Sequence, residues 1–170
     1  IIRAGHGDDD VLIRGETGSG KELVARAIHA VSKRAHGPLV TVNTAAIPAD
    51  LAAAELFGSA RGAFTGADSN SPGYFRQAQG GSLFLDEVGD MPAEIQPQLL
   101  RALQQREIQS VGGTIHRIDL RVISATDAPL EGEGSDFKAA LLHRLGTHVI
   151  DLLPLREHPE DIGELALHMF

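Results

Sequence analysis

The chain has 170 residues, with 15 Lys and Arg against 23 Asp and Glu and a formal net charge of −8. Its length suffices for one domain with a full core, and its charge argues against a surface that grips a nucleic-acid backbone by itself, because phosphate contacts need clustered cations. With no cysteine, disulfides and thiolate metal sites are excluded, and a reducing cytosol is compatible.

The apolar run Val11-Leu12-Ile13 predicts a short strand. Gly15-Glu-Thr-Gly-Ser-Gly-Lys21 follows as a glycine-rich loop, and Glu22 to about Ser32 as a helix. Leu39–Val42 predicts a second strand. Gly58 to Gly73 is a long insertion rich in Gly, Ser, Ala and Asn, inside what otherwise reads as a helical crossover. Loops of that length in compact domains are functional or disordered. Ser82–Leu85 predicts a third strand, ending in Asp86-Glu87.

Ala93–Gln105 predicts a helix with Ile95, Leu99, Leu100 and Leu103 on one face and Pro92 in its first turn. Glu107 to Arg117 predicts a small hairpin turning at Gly112-Gly113. Leu120–Ala125 and Thr147–Leu152 predict further strands, and Glu160–Phe170 a helix whose face is Ile162, Leu165, Ala166 and Met169. The strands are apolar on both faces, as parallel strands are when helices cover both sides. An α/β fold follows: a parallel five-stranded sheet flanked by helices, with the insertion at 58–73 and the hairpin at 107–117, as one domain over residues 1–170. Ile1 leads straight into the first strand and Phe170 falls inside a helical pattern without a C-cap signal, which reads as a segment of a larger protein. No apolar run approaches the ~18 residues of a membrane span, and the histidines lack a metal-ligand spacing.

Two of these segments carry chemistry. Glycines let the loop backbone curl so that successive N–H groups cradle phosphate oxygens, and the following helix N-terminus adds partial positive charge. Lys21 would reach the β- and γ-phosphates as a point charge. Glu22 stands where a Ser or Thr usually ligates Mg²⁺, so the strict pattern fails there; a glycine-rich turn with Lys21 merely solvated is the alternative. The second segment weighs against that alternative. Asp86 at a strand end would hold Mg²⁺, and Glu87 beside it would polarise an attacking water. Both halves of a nucleoside triphosphate site then sit at strand ends.

Within the insertion lies Gly62-Ala63-Phe64-Thr65-Gly66-Ala67. Phe64, flanked by glycines, is either a contact residue or an anchor folded back onto the domain. This GAFTGA hexapeptide, preceded by Glu55-Leu56-Phe57-Gly58, resembles the signature of the sigma-54-dependent transcriptional activators, the bacterial enhancer-binding proteins of the AAA+ class. The resemblance covers nearly the whole chain, through GETGSGKE, ELFG, GYFRQAQGGSLFLDEV, SVGG, DLRVISATD and LLPLREHPEDI in the family's order and spacing.

The resemblance implies an AAA+ P-loop NTPase core that binds ATP and Mg²⁺ and couples hydrolysis to remodelling of the sigma-54 subunit of RNA polymerase. Gly15, Glu16, Thr17, Gly18, Ser19, Gly20, Lys21 and Glu22 match the phosphate loop, where glutamate is common at the last position. Asp86 matches the Mg²⁺ ligand and Glu87 the water-activating carboxylate. Asn43 matches an asparagine that hydrogen-bonds the catalytic glutamate and releases it as the nucleotide state changes. Thr126 and Asp127 match the sensor near the γ-phosphate. Lys138 and Arg144 match two arginine fingers presented to a neighbour's nucleotide, which requires a head-to-tail ring, commonly a hexamer. Leu155-Arg156 and Ile162 match the segment flanking the adenine. Gly62, Ala63, Phe64, Thr65, Gly66 and Ala67 match the sigma-54 contact loop. The family acts in the cytoplasm, without a membrane, and reaches DNA through a domain outside this chain.

The chain departs from the family's pattern at several positions. Asp127 replaces the usual Asn or His, and a carboxylate there repels a γ-phosphate unless something neutralises it. Lys138 replaces the first finger arginine, keeping charge but losing the bidentate fork. Arg76 and Ser110 stand where Glu and Arg are common, removing an ion pair that supports the loop. Two alternatives stay open: a nucleotide-binding module with blunted hydrolysis, and an AAA+ remodeller acting on proteins outside transcription.

Overall fold

The computed structural model describes residues 6–158 apart from 66, 133 and 134; Ile162, Gly66 and the predicted helix Glu160–Phe170 lie outside the described residues. Five parallel strands form one sheet: β1 (Val11–Arg14), β2 (Leu39–Asn43), β3 (Ser82–Asp86), β6 (Arg121–Thr126) and β7 (His148–Asp151), in the order β2-β3-β6-β1-β7. The expected α/β sheet is therefore present. Between β3 and β6, the short strands β4 (Glu107–Gln109) and β5 (Ile115–Arg117) pair antiparallel as the hairpin. The helices are α1 (Lys21–Ala30), α2 (Ala52–Phe57), α3 (Gly73–Gln77), α4 (Gln96–Gln105) and α5 (Ala139–Leu145).

Alternation of side chains along each strand splits the core in two. Leu12, Leu83, Leu85 and Val122 pack with residues of α2 to α5, including Phe57, Phe75, Leu99, Leu103 and Leu141. Val11, Ile13, Phe84, Ile123 and Ala125 face the other way, onto Ala25 and Ile28 of α1. Burial on both faces explains why these strands read as unbroken apolar runs. That holds for β1, β3 and β6 only. The edge strands β2 and β7 are largely half-buried or exposed, with Val149 43 % exposed, because an edge strand has a neighbour on one side only.

One predicted boundary moves. The helix expected from Ala93 begins at Gln96. Ala93 to Ile95 form a turn closed by the Ile95 N–H on the Pro92 carbonyl at 2.9 Å, and Pro97 has no N–H to extend the ladder backwards. The long insertion ends at Pro72, since Gly73 already opens α3. Its base is pinched: a Cβ on Gly73 would strike the Gly58 nitrogen. Ser59 and Ser71 exchange N–H···O bonds of 3.0 and 2.9 Å across that base, and Phe57 stacks on Phe75 at 5.4 Å beneath it.

Candidate functional site

The phosphate loop joins the C-terminal end of β1 to α1. Gly18 and Gly20 have φ of 82° and 87°, values that an L side chain resists, and a Cβ on either would meet nothing. Backbone conformation rather than crowding demands glycine there. Lys21 is only 6 % exposed. Its Nζ donates to the Gly15 and Glu16 carbonyls at 3.0 and 3.3 Å and lies 3.5 Å from Glu87 Oε1. Ser19 Oγ is buried beside it without a hydrogen-bond partner. The loop, Asn43, Asp86 and Glu87 line an open cleft of about 440 Å³.

Three loop side chains are engaged by partners within the chain. Glu16 forms a bidentate pair with Arg156 at 2.6 and 2.7 Å, tying the loop to the turn after β7. Thr17 Oγ1 donates to Asp127 Oδ2 at 2.6 Å. Glu22 bonds Arg26 one helical turn on, at 2.6 Å, so the backbone N–H of residue 22 is what it can offer a phosphate.

Glu87 sits in the left-handed region at φ 51°. Backbone strain in a non-glycine residue is concentrated where function over-determines geometry. Burial pushes its carboxyl above the ordinary range, against the pull of Lys21 and the Asp127 N–H, while the charges of Asp127 and Asp86 push the same way as burial. Its Oε2 accepts from the Asp127 N–H at 3.3 Å. The Asp127 carboxyl is held below its ordinary value, chiefly by the Thr17 hydroxyl.

The expected Asn43–Glu87 hydrogen bond is not made. Asn43 Oδ1 accepts from the Ala45 N–H at 2.9 Å instead, because the chain turns into a short 3₁₀ segment directly after β2 and the asparagine caps it. A residue that sequence reading missed does the anchoring: buried Thr44 donates to the Glu87 carbonyl at 2.6 Å and approaches that of Asp86 at 3.0 Å. Its position beside Asn43 is the only signal. Thr126 is also turned away from the cleft, buried and bonded to Ala128, which leaves Asp127 as the sensor-position side chain at the site.

The two finger positions differ. Lys138 is exposed at the start of α5, and its ammonium makes no ion pair among the described residues. Arg144 is spent within its own chain: one terminal nitrogen lies 2.8 Å from Asp10 Oδ2, and the other donates to the Leu103 carbonyl at 3.1 Å. Asp10 is fully buried, and burial raises its pKa despite the Val122 N–H and the nearby Arg106, Arg144 and Arg121. Within this chain both terminal nitrogens of the guanidinium are thus engaged.

In the GAFTGA segment, Gly62 N–H bonds the Ala67 carbonyl and Ala67 N–H bonds that of Phe64, at 2.8 and 3.0 Å. Phe64 is 38 % exposed, and Thr65 is exposed as well. The hairpin grips the stem, with Ala60 N–H on the Val111 carbonyl and Val111 N–H on that of Gly58.

The family model described as the Sigma-54 interaction domain matches residues 1–151. The DNA-binding transcriptional activator HyfR of Escherichia coli is 52 % identical over 164 residues, covering 95 % of this chain and 24 % of that protein. The DNA-binding transcriptional regulator NtrC of Rhizobium meliloti is 51 % identical, covering 95 % of this chain and 34 % of its own length. The crystal structure of NtrX from Brucella abortus in complex with ADP superposes with a TM-score of 0.87 at 42 % identity, over 96 % of this chain and 36 % of that one. The chain thus spans about a quarter to a third of these relatives.

Proposed function

Because this chain belongs to the family of sigma-54 interaction domains, we propose that it binds and hydrolyses ATP in the cleft between the phosphate loop and β3 and couples turnover to sigma-54 through the 62–67 loop. The observation that carries the reading is the buried Lys21 ammonium, with the unpartnered Ser19 hydroxyl beside it and the Glu87 carboxylate 3.5 Å away. A buried ammonium held at the mouth of a glycine-rich loop, within reach of the open cleft that Glu87 also lines, is placed to meet an anionic ligand there. NtrX, of the same fold, is seen in complex with ADP and with ATP.

Lys21 and the loop N–H groups bind phosphate oxygens, and Glu87 takes the proton of the attacking water. Among the described residues no set of three or more His, Cys, Asp and Glu converges to cage a metal. Asp86 alone with phosphate oxygens suits Mg²⁺, which takes one or two carboxylates and keeps its waters; when bound it neutralises phosphate charge. Asp127, held by Thr17, sits at the sensor position. Lys138 is the cation offered to the nucleotide of a neighbouring subunit in a head-to-tail ring, while Arg144 braces its own chain. DNA contact belongs to another domain, and a transcriptional activator of this kind works in the cytoplasm. No helix among the described residues is long and apolar enough to cross a membrane.

The exposure of Phe64 supports the output-loop reading over the anchor. Phe64→Ala is expected to leave the thermal transition close to that of the parent, far from the about 3–5 kcal/mol lost when a fully buried phenylalanine is truncated. ATP hydrolysis should persist and binding to sigma-54 in the presence of a transition-state mimic should vanish. A large fall in melting temperature, with sigma-54 binding intact in the folded fraction, would sink the loop assignment. The second reading, a nucleotide-binding module with weak turnover, is favoured by the Asp127 carboxyl, which the Thr17 hydroxyl holds below its ordinary value, and Asp127→Asn raising hydrolysis severalfold is its expected mark.

A further inference from the structure

Gln96 opens α4 and is 2 % exposed. Its amide is bonded at both ends: Nε2 donates to the Met91 carbonyl at 3.2 Å, and Oε1 accepts from the Lys138 backbone N–H at 2.8 Å. Those partners fix the amide's orientation, since a carbonyl only accepts and an N–H only donates. Met91 closes the 3₁₀ turn Val88–Asp90 that Glu87 opens. Lys138 in turn is the residue from which α5 starts. One buried side chain therefore joins the backbone leaving Glu87 to the backbone that carries the exposed ammonium.

The turn itself has little freedom to shift alone. A Cβ on Gly89 would lie 2.9 Å from Thr126 Oγ1 and 3.2 Å from Ala128 Cβ, so the turn is pressed against the segment around Asp127. A chain of close contacts thus runs from Glu87 and Asp127 through Met91 and the amide to Lys138. An apolar side chain of the same length would fill the space but hold neither partner.

We propose that Gln96 is a positioning residue for hydrolysis: its amide ties the Lys138 backbone to the turn that begins at Glu87, so that the cation offered to a neighbouring subunit's nucleotide is registered against this subunit's own site. The inference rests on the reading of Lys138 given above.

A double-mutant cycle tests it, with ATP turnover measured in assembled protein carrying this domain. Gln96→Met keeps the length and the packing while removing both hydrogen bonds. It should lower kcat about 10–100-fold, the scale of a small misplacement of a reacting group, with little change in KM for ATP. In a Lys138→Ala background the same substitution should lower kcat no further, since residues acting as a unit are not additive. Equal losses in both backgrounds would mean that Gln96 merely supports the fold, and would overturn the proposal while leaving Lys138 its role. Lys138→Ala turning over at the parent rate would overturn the reading of Lys138 and this inference with it. Should Gln96→Met not fold, Gln96→Glu replaces it: once protonated, its carboxyl group can donate to Met91 and accept from Lys138, so its kcat relative to the parent should recover as pH is lowered. A flat ratio across pH would count against the bridge.

Discussion

Replacing Glu87 with Gln is expected to lower kcat for ATP by about 10²–10⁴-fold, the usual contribution of a positioned general base, while ATP affinity stays near that of the parent. The amide has the carboxylate's shape and can still accept from the Asp127 N–H, which now reaches Oε2 at 3.3 Å. It cannot take a proton at neutral pH. The backbone that presents it is held independently of the side chain, by Thr44 on the Glu87 carbonyl, so the substitution tests chemistry rather than folding. Lys21→Ala makes the contrast: it removes the buried ammonium from the loop and should abolish ATP binding itself. Equilibrium binding and single-turnover hydrolysis, measured on both variants, separate the two roles. Parent-rate hydrolysis by the Glu87→Gln protein would remove Glu87 from the mechanism.

The second large effect is on stability. Arg144→Ala removes the cation 2.8 Å from the fully buried Asp10, which keeps the Val122 N–H and the charges of Arg106 and Arg121. Taking one partner from a half-buried ion pair costs about 1–3 kcal/mol when other donors and charges still serve the remaining group, as the Val122 N–H, Arg106 and Arg121 do here. For a domain of this size each kcal/mol moves the melting temperature by about 2–4 °C, so a fall on the order of 5 °C is expected. A melting temperature unchanged by Arg144→Ala, together with lost turnover, would return Arg144 to the neighbour's nucleotide and remove its bracing role.

Much of the site was legible in the chain because local rules wrote it. Gly18 and Gly20 supply backbone conformations that other residues resist, and Lys21 follows them into the helix by covalent connection alone. The apolar runs of β1, β3 and β6 announced a sheet covered on both faces, and Asp86-Glu87 had to emerge at a strand end once Ser82–Leu85 was a strand. The loop at 62–67 was marked by composition. In each case the information lies within a few residues, so periodicity and turn chemistry carry it.

What tertiary structure alone decided are the partners of polar groups far apart in sequence. Nothing near Arg144 signals that Asp10 will be buried beneath it, nor near Gln96 that its amide will hold Met91 and Lys138. Asn43 read as a partner of Glu87, yet the turn after β2 puts its oxygen on Ala45 and hands the anchoring to Thr44. Asp127 read as an unpaired carboxylate, yet Thr17 donates to it across the site and favours its charged form. A buried charge or amide takes whichever complementary group the packed backbone brings within about 3 Å, and that choice is made by the sheet order β2-β3-β6-β1-β7, which no local pattern encodes. The sequence by itself determined the glycine-rich loop, the strand-end carboxylates and the GAFTGA segment; the fold decided which of the remaining polar side chains face the cleft and which hold the domain together.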